Sequence, residues 1–319
     1  MLVRCRNVIR GTFAALAAGG ITVALGPVQS AEAGTVNPSP RELVVYNNNI
    51  ENLVPPSCAN GQDYDRFISY LKSRPLSPDI FTVQQISHSN QLAAFTRRLS
   101  DELPGTYAGR IALASPGSMG YTSPCGKLKN QQTNAVIYRS DRLTFEDETR
   151  WRSDAPSDYD AGTGPCRNLT PTRSSQDRVH NIAVRLHDNV ADKDVTMASI
   201  HWPTNTWHGP ECAAENINEA DDAVNRLGGS LRIVAGDMNT TPGKKNWWNQ
   251  ARSYGFRDPI AELCGARDCS SAHDTNGSRR IDFLLARGSS GFSNAATLTE
   301  GMTGGAYSDH RAVTAHIKY

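Results

Sequence analysis

Short apolar runs alternate with amphipathic segments along most of the chain. The runs are rich in β-branched and aliphatic residues and are bounded by turn-forming residues, a pattern typical of β-strands. Two segments, 64–71 and 213–227, instead repeat apolar residues at helical spacing, and 91–103 and 245–254 are weaker helix predictions. We predict eight strands, at 43–46, 80–83, 135–138, 182–186, 195–200, 231–235, 281–285 and 312–317.

The order of these elements predicts the fold class. Strands interleaved with helices are typical of an α/β layer architecture. Residues 42–319 are expected to form a single domain, because the chain is long enough for one large core and its size does not require two. Two long stretches punctuated by Gly and Pro, at 104–132 and 153–177, are predicted to be loops.

The N-terminus has the pattern of an export signal. Three arginines precede a mainly apolar stretch at 13–25, and Ala31-Glu32-Ala33 matches the small-x-small cleavage pattern. We interpret residues 1–33 as a signal peptide and expect a secreted, extracellular protein, with a signal anchor as the alternative. Because the apolar stretch is short and interrupted by glycine, stable membrane insertion is not expected. Residues 34–41 form a polar lead-in that we expect to be mobile.

The net charge changes little when the signal is removed. The whole chain carries 33 basic and 32 acidic residues, and residues 1–33 contain three of the former and one of the latter. The remaining chain therefore has a formal net charge of −1. Such a balance provides no general attraction to phosphate polymers, so a nucleic-acid substrate would require a local basic patch.

Cysteine content agrees with export. After the signal, six cysteines remain, and an even number in an exported chain favours three disulfides over a structural metal site, since close Cys-x-x-Cys pairs are absent. Cys264 and Cys269 are the sequence-local pair, and we predict a bridge between them. The other pairings stay open among Cys58, Cys125, Cys166 and Cys212.

Polar side chains cluster at the ends of the predicted strands. In an α/β sheet such residues line the crevice where ligands bind. The clusters contain carboxylates, amides and imidazoles, which suits hydrolysis of a phosphate ester with a hard divalent ion such as Mg²⁺. Two histidines could divide the proton transfers. The clusters are Asn47-Asn48-Asn49, Gln84-Gln85, His201, Gly236-Asp237-Met238-Asn239, Arg280-Ile281-Asp282 and Ser308-Asp309-His310.

Each cluster also has a purely structural interpretation. Consecutive asparagines are common in turns, and Asp237 and Asn239 are residue types that cap the following turn. His201 could be a satisfied buried histidine, and Arg280 and Asp282 could form a structural ion pair. The order of the clusters along the chain favours the functional interpretation.

Seven motifs in sequence carry a family resemblance. Over roughly residues 42–319 the chain resembles the endonuclease/exonuclease/phosphatase superfamily in motif order and spacing, through VVYNNNI, DIFTVQQ, TNAVIYR, ASIHW, IVAGDMN, RIDFLL and YSDHRAV. Single motifs of this kind are weak, whereas seven in order are specific. The resemblance implies a two-sheet α/β sandwich flanked by helices, with the site at one edge of both sheets.

The resemblance also implies roles for the residues around the metal and the water. Asn49 matches the first-strand asparagine close to the metal, and Asp309 matches the metal-linked aspartate of the final motif. Asp237 is similar to the residue that orients or deprotonates the attacking water. Asn239 would help to hold the phosphate.

Further matches concern the substrate phosphate. His310 would be the base or a phosphate-stabilising imidazole, with Asp282 fixing its tautomer. His201 would be the opposing imidazole, acting as an acid or as a donor to the phosphate. Asn134 falls where the family places a phosphate-contacting side chain, and Arg178 falls within about a residue of the family's arginine.

Gln85 departs from the pattern. The family has Gln-Glu where this chain has Gln84-Gln85, and that glutamate is a principal metal ligand. An amide oxygen ligates a hard cation more weakly than a carboxylate does, so metal affinity should fall. We expect Mg²⁺, with Mn²⁺ or Ca²⁺ as alternatives, to bind Asn49, Gln85 and Asp309, with Glu51 as a candidate substitute carboxylate.

Three functions follow as hypotheses. The first is a monomeric, secreted, metal-dependent phosphodiesterase that hydrolyses nucleic acid or another phosphodiester, and a nuclease should gather arginines near the site, for which Arg178, Arg279, Arg280 and Arg311 are candidates. The second is a sphingomyelinase or phospholipase-type hydrolase, which should expose an apolar docking surface. Gln85 motivates the third, a phosphate-ligand binding or toxin-like protein with weakened catalysis.

Overall fold

Residues 34–51, 63–117, 131–153, 177–204, 209–244 and 246–319 are described by the computed structural model. The predicted signal peptide and most of the predicted loop at 153–177 lie outside the described residues. The strands are β1 (Glu42–Asn49), β2 (Ile80–Ile86), β3 (Tyr107–Ile111), β4 (Thr133–Arg139), β5 (Leu143–Arg152), β6 (His180–Asp188), β7 (Lys193–His201), β8 (Leu231–Asp237), β9 (Asp282–Arg287), β10 (Gly291–Thr297) and β11 (Val313–Lys318). The α-helices are α1 (Asp65–Lys72), α2 (Ser89–Glu102), α3 (Ala213–Leu227), α4 (Trp247–Ser253), α5 (Pro259–Cys264) and α6 (Glu300–Thr303).

The strands form two mixed sheets. One has the order β10-β11-β1-β2-β4-β3, and the other has the order β5-β6-β7-β8-β9. The pairs β1–β2 and β7–β8 are parallel, and the other neighbouring pairs are antiparallel. Within each sheet, the two parallel strands therefore end on the same side. Most of the predicted site lies at these C-terminal ends, those of β1 and β2 in one sheet and of β7 and β8 in the other.

Three apolar layers hold the sheets and helices together. Aliphatic side chains such as Val45, Ile80, Val184 and Ile233 fill the space between the two sheets. A second cluster packs α1 and α2 on the outer face of the first sheet, and a third packs α3 and α4 on the outer face of the second. The arrangement is a four-layer α/β sandwich, which confirms the predicted fold class.

All eight predicted strands are present, but three further strands were missed. The missed strands are β3, β5 and β10, and each lies at an edge of its sheet. An edge strand has one unpaired side and can carry polar residues, so its sequence lacks a continuous apolar run. The prediction of a loop over 104–132 was therefore wrong at β3. The four helix predictions correspond to α1 to α4, whereas the short helices α5 and α6 were not predicted.

The polar lead-in is packed rather than mobile. Asn37 is buried and donates through Nδ2 to Asp79 Oδ2 at 2.6 Å and to the Glu42 carbonyl at 2.9 Å. The fully buried Arg142 lies beside it, with Nη1 3.3 Å from Asp79 Oδ2 and Nη2 2.7 Å from Asp188 Oδ2. Because a buried carboxylate requires partners, this network holds the lead-in against the sandwich and corrects our expectation of mobility.

The structure confirms the Cys264–Cys269 disulfide, with a Cα–Cα distance of 5.9 Å. Cys212 is also disulfide-bonded, and its partner lies outside the described residues. Within the described ranges, no helix has the length and hydropathy needed to cross a membrane.

Candidate active site

Strand register places three predicted site residues in one row across the second sheet. His201 is paired with Asp237 between β7 and β8, and Asp237 is paired with Asp282 between β8 and β9. Paired residues on neighbouring strands project to the same face of a sheet. All three side chains are buried, at 1% exposure or less.

A matching row of amides lies on the first sheet. Asn49 on β1 is paired with Gln84 on β2, and Gln84 is paired with Asn134 on β4. The two rows meet where Asn49 Nδ2 donates to Asp237 Oδ2 at 3.1 Å. The site therefore lies at one edge of both sheets.

His310 lies between the two carboxylates of the second row. Its Nδ1 is 2.8 Å from Asp282 Oδ2, and its Nε2 is 3.7 Å from Asp237 Oδ2. Burial lowers the pKa of His310, but the charges of Asp282 and Asp237 and the hydrogen bond to Asp282 outweigh burial and raise the pKa to about 10. Without a metal ion, His310 is an imidazolium at neutral pH and acts as a donor, not as a base.

His201 has the opposite protonation behaviour. It is fully buried, and within the described part of the chain neither ring nitrogen has a hydrogen-bond partner. Burial lowers the pKa of His201 to about 3; Asp237 opposes the shift, and the charges of Arg178 and His310 add to it. The imidazole is therefore neutral at physiological pH, and its 3.5 Å approach to Asp237 Oδ2 is not an ion pair.

The backbone after β8 holds Asp237 in place. A side chain at Gly236 would meet the Ile200 carbonyl at 1.8 Å, so only glycine permits the close approach of the two strands here. Asn239 has a left-handed φ of 48° and donates through its backbone N–H to Asp237 Oδ1 at 2.9 Å. Its side chain donates to the Trp202 carbonyl at 2.8 Å. Both carboxylate oxygens of Asp237 are thus held by amides.

Two hydroxyls to which the sequence analysis gave no role support the site. Thr275 Oγ1 accepts a hydrogen bond from the backbone N–H of Asp282 at 3.0 Å. Ser308 Oγ donates to the Asn49 carbonyl at 2.6 Å and accepts from the His310 N–H at 3.2 Å, so it joins two parts of the site. Ser308 lies in the final motif and could have been identified there, whereas no pattern marks Thr275.

Three of these residues could hold a metal ion. The ligand atoms of Asp237, Asp282 and His310 lie within 4.8 Å of one another. Asp282 Oδ1 is buried and, among the described residues, has no hydrogen-bond donor. A divalent cation such as Mg²⁺ prefers carboxylate and amide oxygens, so the carboxylates of Asp237 and Asp282, with the adjacent Asn49, suit a hard cation.

The predicted ligands occupy different positions. Gln85 has a φ of 60° beside a register shift in β2, and its Oε1 accepts from Gln132 Nε2 at 2.8 Å. The Asp309 side chain is exposed, and Ser308 Oγ is 3.4 Å from its Oδ1. Glu51 is 8% exposed and donates its backbone N–H to Asn49 Oδ1 at 3.2 Å. The ligand roles of Asn49, Gln85, Asp309 and Glu51 stay predictions.

Asn134 and Arg178 lie on the His201 side of the site. Asn134 Nδ2 donates to the carbonyls of Arg178 at 2.8 Å and His180 at 2.7 Å, so this amide fixes the segment that precedes β6. Arg178 Nη2 is 3.4 Å from Thr204 Oγ1, and its charge contributes to the lowered pKa of His201. Their roles in binding phosphate stay predictions.

Two of the four candidate arginines are engaged elsewhere. Arg280 pairs with the buried Asp258, not with Asp282, which corrects the ion pair considered from the sequence. Arg311 pairs with Glu300 at 2.7 Å. Arg279 is exposed and contacts the Asn276 side chain at 3.3 Å.

Solved structures share this fold at low sequence identity. An endonuclease/exonuclease/phosphatase family protein from Bacteroides thetaiotaomicron has a TM-score of 0.59 and 16% identity, over 87% of this chain and 95% of that chain. A mannosyl-6-phosphatase from the same organism has a TM-score of 0.58 and 15% identity, over 87% and 100%. D. rerio TDP2 complexed with a single-strand DNA product has a TM-score of 0.57 and 13% identity, over 87% and 99%.

The fold that the protein shares with these structures defines its structural class. The chain has the endonuclease/exonuclease/phosphatase fold over most of its length, as the ordered motifs predicted. No protein-family model matches the sequence, and no curated protein is similar to it.

The opposite pKa shifts of the two histidines give opposite pH dependences. The pKa of His310 lies above the ordinary value of 6.5, so its stabilising contribution is complete below pH 6.5 and is lost as the pH rises towards 10. The pKa of His201 lies below 6.5, so its contribution is lost as the pH falls from 6.5 towards 3. In ¹⁵N NMR spectra of protein in EDTA, we expect a charged His310 ring at pH 8 and a neutral His201 ring at pH 5.

The ring signals can be assigned with His310→Gln and His201→Gln. A neutral His310 at pH 8 in the metal-free protein would contradict the charge arrangement described above.

Proposed function

We propose that this protein is a secreted, metal-dependent phosphodiesterase of the endonuclease/exonuclease/phosphatase superfamily, with nuclease activity as its function. The observation that supports this most strongly is the meeting of Asn49, His201, Asp237, Asp282 and His310 at one edge of the two sheets. These residues come from five separate motifs, and a purely structural role for each does not account for their meeting.

The two histidines are suited to different contacts with a phosphate. His310 is held by Asp282 through Nδ1, so it can donate a hydrogen bond to a phosphoryl oxygen, and this bond is charge-assisted where the raised pKa of the metal-free protein persists. His201 is neutral and has no partner for its ring nitrogens within the described residues, so one of them can donate to a second oxygen. This favours His310 as the stabilising imidazole over the base, and His201 as a donor over an acid.

Asp237 is then the acceptor for the proton of the attacking water. Its carboxylate is oriented by Asn49 and by the Asn239 N–H, and it lies beside both imidazoles. The oxygen of water forms the new bond to phosphorus, the ester P–O bond breaks, and the water proton passes to Asp237. A bound divalent ion would neutralise negative charge on the phosphoryl and departing oxygens.

Two observations favour a nucleic-acid substrate. The similar TDP2 structure contains a single-strand DNA product. Two arginines also lie at the site: the charge of Arg178 helps to lower the pKa of His201, and Arg279 is exposed beside Asn276, which donates to the Asp309 carbonyl. A lipid substrate is less well supported. Among the described residues, the exposed large apolar side chains belong to four separate segments and form no run in sequence: Val36, Val190, Leu263 and Met302.

Substitution of Asp237 tests its role in catalysis separately from any role in folding. Asp237→Asn keeps the shape but removes the proton acceptor, so we expect turnover of bis(p-nitrophenyl) phosphate and of single-stranded DNA with Mg²⁺ or Mn²⁺ to fall about 10³-fold. The melting temperature should change little, because the lost repulsion between Asp237 and Asp282 is opposed by the loss of one of the two amide hydrogen bonds that Asp237 accepts.

The exposed Asp222 on α3 provides a matched control, and Asp222→Asn should retain activity. Undiminished turnover in Asp237→Asn, or no cleavage by the wild type of DNA, RNA, sphingomyelin or simple diesters, would refute the proposed function.

Gln85 should limit metal affinity. Gln85→Glu restores a carboxylate at the family's ligand position, and we expect Mn²⁺ to bind about tenfold more tightly by isothermal titration, which corresponds to about 1.4 kcal/mol. Asn218→Asp adds the same charge at an exposed position on α3 and should leave the affinity unchanged. Equal affinities in Gln85→Glu and the wild type would show that position 85 does not face the ion.

A further inference from the structure

A cavity lies between α4 and α5, on the outer side of the second sheet. It has a volume of about 620 Å³ and is lined by residues of α4, α5 and the segments around them, together with Leu285 of β9. None of its lining residues is one of the candidate active-site residues. Its volume falls in the range of about 300–1,000 Å³ that is typical of small-molecule sites.

The floor of the cavity is apolar and aromatic. Trp248, Phe256 and Leu285 line it, and each is at most 5% exposed. The indole N–H of Trp248 makes no hydrogen bond to a residue that the structure describes and, unlike that of Trp202, is not sealed from solvent. The guanidinium of Arg280 lies 5.5 Å from the centroid of the Trp248 ring and pairs with Asp258, which holds this wall in place.

The cavity is lined by three arginines and by two acidic residues, Asp258 and Glu262. Arg257 is engaged by Glu262 at 2.6 Å, and Arg267 is engaged by Asp268. The exposed Arg252 of α4 also lines the cavity, and its guanidinium makes no hydrogen bond or ion pair with any residue that the structure describes. An uncompensated guanidinium beside an aromatic floor is complementary to an anionic group on a flat ring.

The wall opposite α4 is covalently constrained. Gly265, Ala266 and Arg267 line the cavity, and they lie inside the short loop closed by the Cys264–Cys269 disulfide. A wall held in one conformation reduces the ordering cost of binding a ligand.

We propose that this cavity binds a small planar anion of the nucleoside monophosphate class. A ring nitrogen of the ligand accepts a hydrogen bond from the indole N–H of Trp248, the ligand ring lies against the apolar lining, and the phosphate pairs with Arg252. This site is separate from the phosphoesterase site, and the proposal does not depend on catalysis.

The indole N–H signals in ¹H–¹⁵N NMR spectra test the proposal. The chain contains five tryptophans, and the Trp248 signal is identified by its loss in Trp248→Phe. With full-chain protein in EDTA, we expect adenosine 5′-monophosphate to shift this signal saturably. Adenosine and inorganic phosphate should each bind about tenfold more weakly, because each lacks one half of the recognised chemistry.

Charge-matched variants locate the phosphate. Arg252→Gln should weaken adenosine monophosphate binding about tenfold, whereas Arg97→Gln, at an exposed position on α2, should not. No saturable shift of the Trp248 signal, or equal affinity in Arg252→Gln and the wild type, would overturn the proposal. Because EDTA removes divalent ions and no turnover is measured, failure here is distinguishable from failure of the proposed phosphoesterase function.

Discussion

Two buried carboxylates on adjacent strands impose the central constraint on this molecule. Asp237 and Asp282 face each other across β8 and β9, at a depth where like charges repel strongly. His310 lies between them and carries the compensating positive charge, which is why its pKa is raised despite burial. A divalent cation would compensate the same charges, so the need for positive charge links the fold of this edge to its chemistry.

The two sheets must be held in register for these groups to meet. Gln84 Nε2 donates to Asn47 Oδ1 at 2.9 Å and, across the sandwich, to Ser199 Oγ at 3.0 Å. Close to this link, Asn49 donates to Asp237. Buried amides and hydroxyls thus join the two sheets close to the site. The precision of the site therefore depends on polar bonds between the sheets as well as on apolar packing.

The sequence predicted the interior strands and most of the site, because both follow from local pattern. Apolar runs mark strands that are buried on both faces, and polar residues at their ends identified His201, Asp237 and Asp282 before their register was known. The edge strands β3, β5 and β10 could not be found in this way, since most of their residues are partly exposed or exposed. The edge strand β9 is buried and was predicted. Contacts between residues far apart in the sequence could not be predicted either. Arg280 pairs with Asp258, and Gln132 donates to Gln85, because of loop paths that no local pattern specifies.

The central claim is that the paired rows and His310 form one centre for a phosphate and a divalent cation. Crystals grown with Mn²⁺ and inorganic phosphate test this most directly, with the ion located by anomalous diffraction. The account predicts a manganese peak within ligand distance of Asp282 or Asn49, and a phosphate between the rings of His201 and His310. A phosphate bound elsewhere, with no manganese at this edge of the sheets, would contradict it.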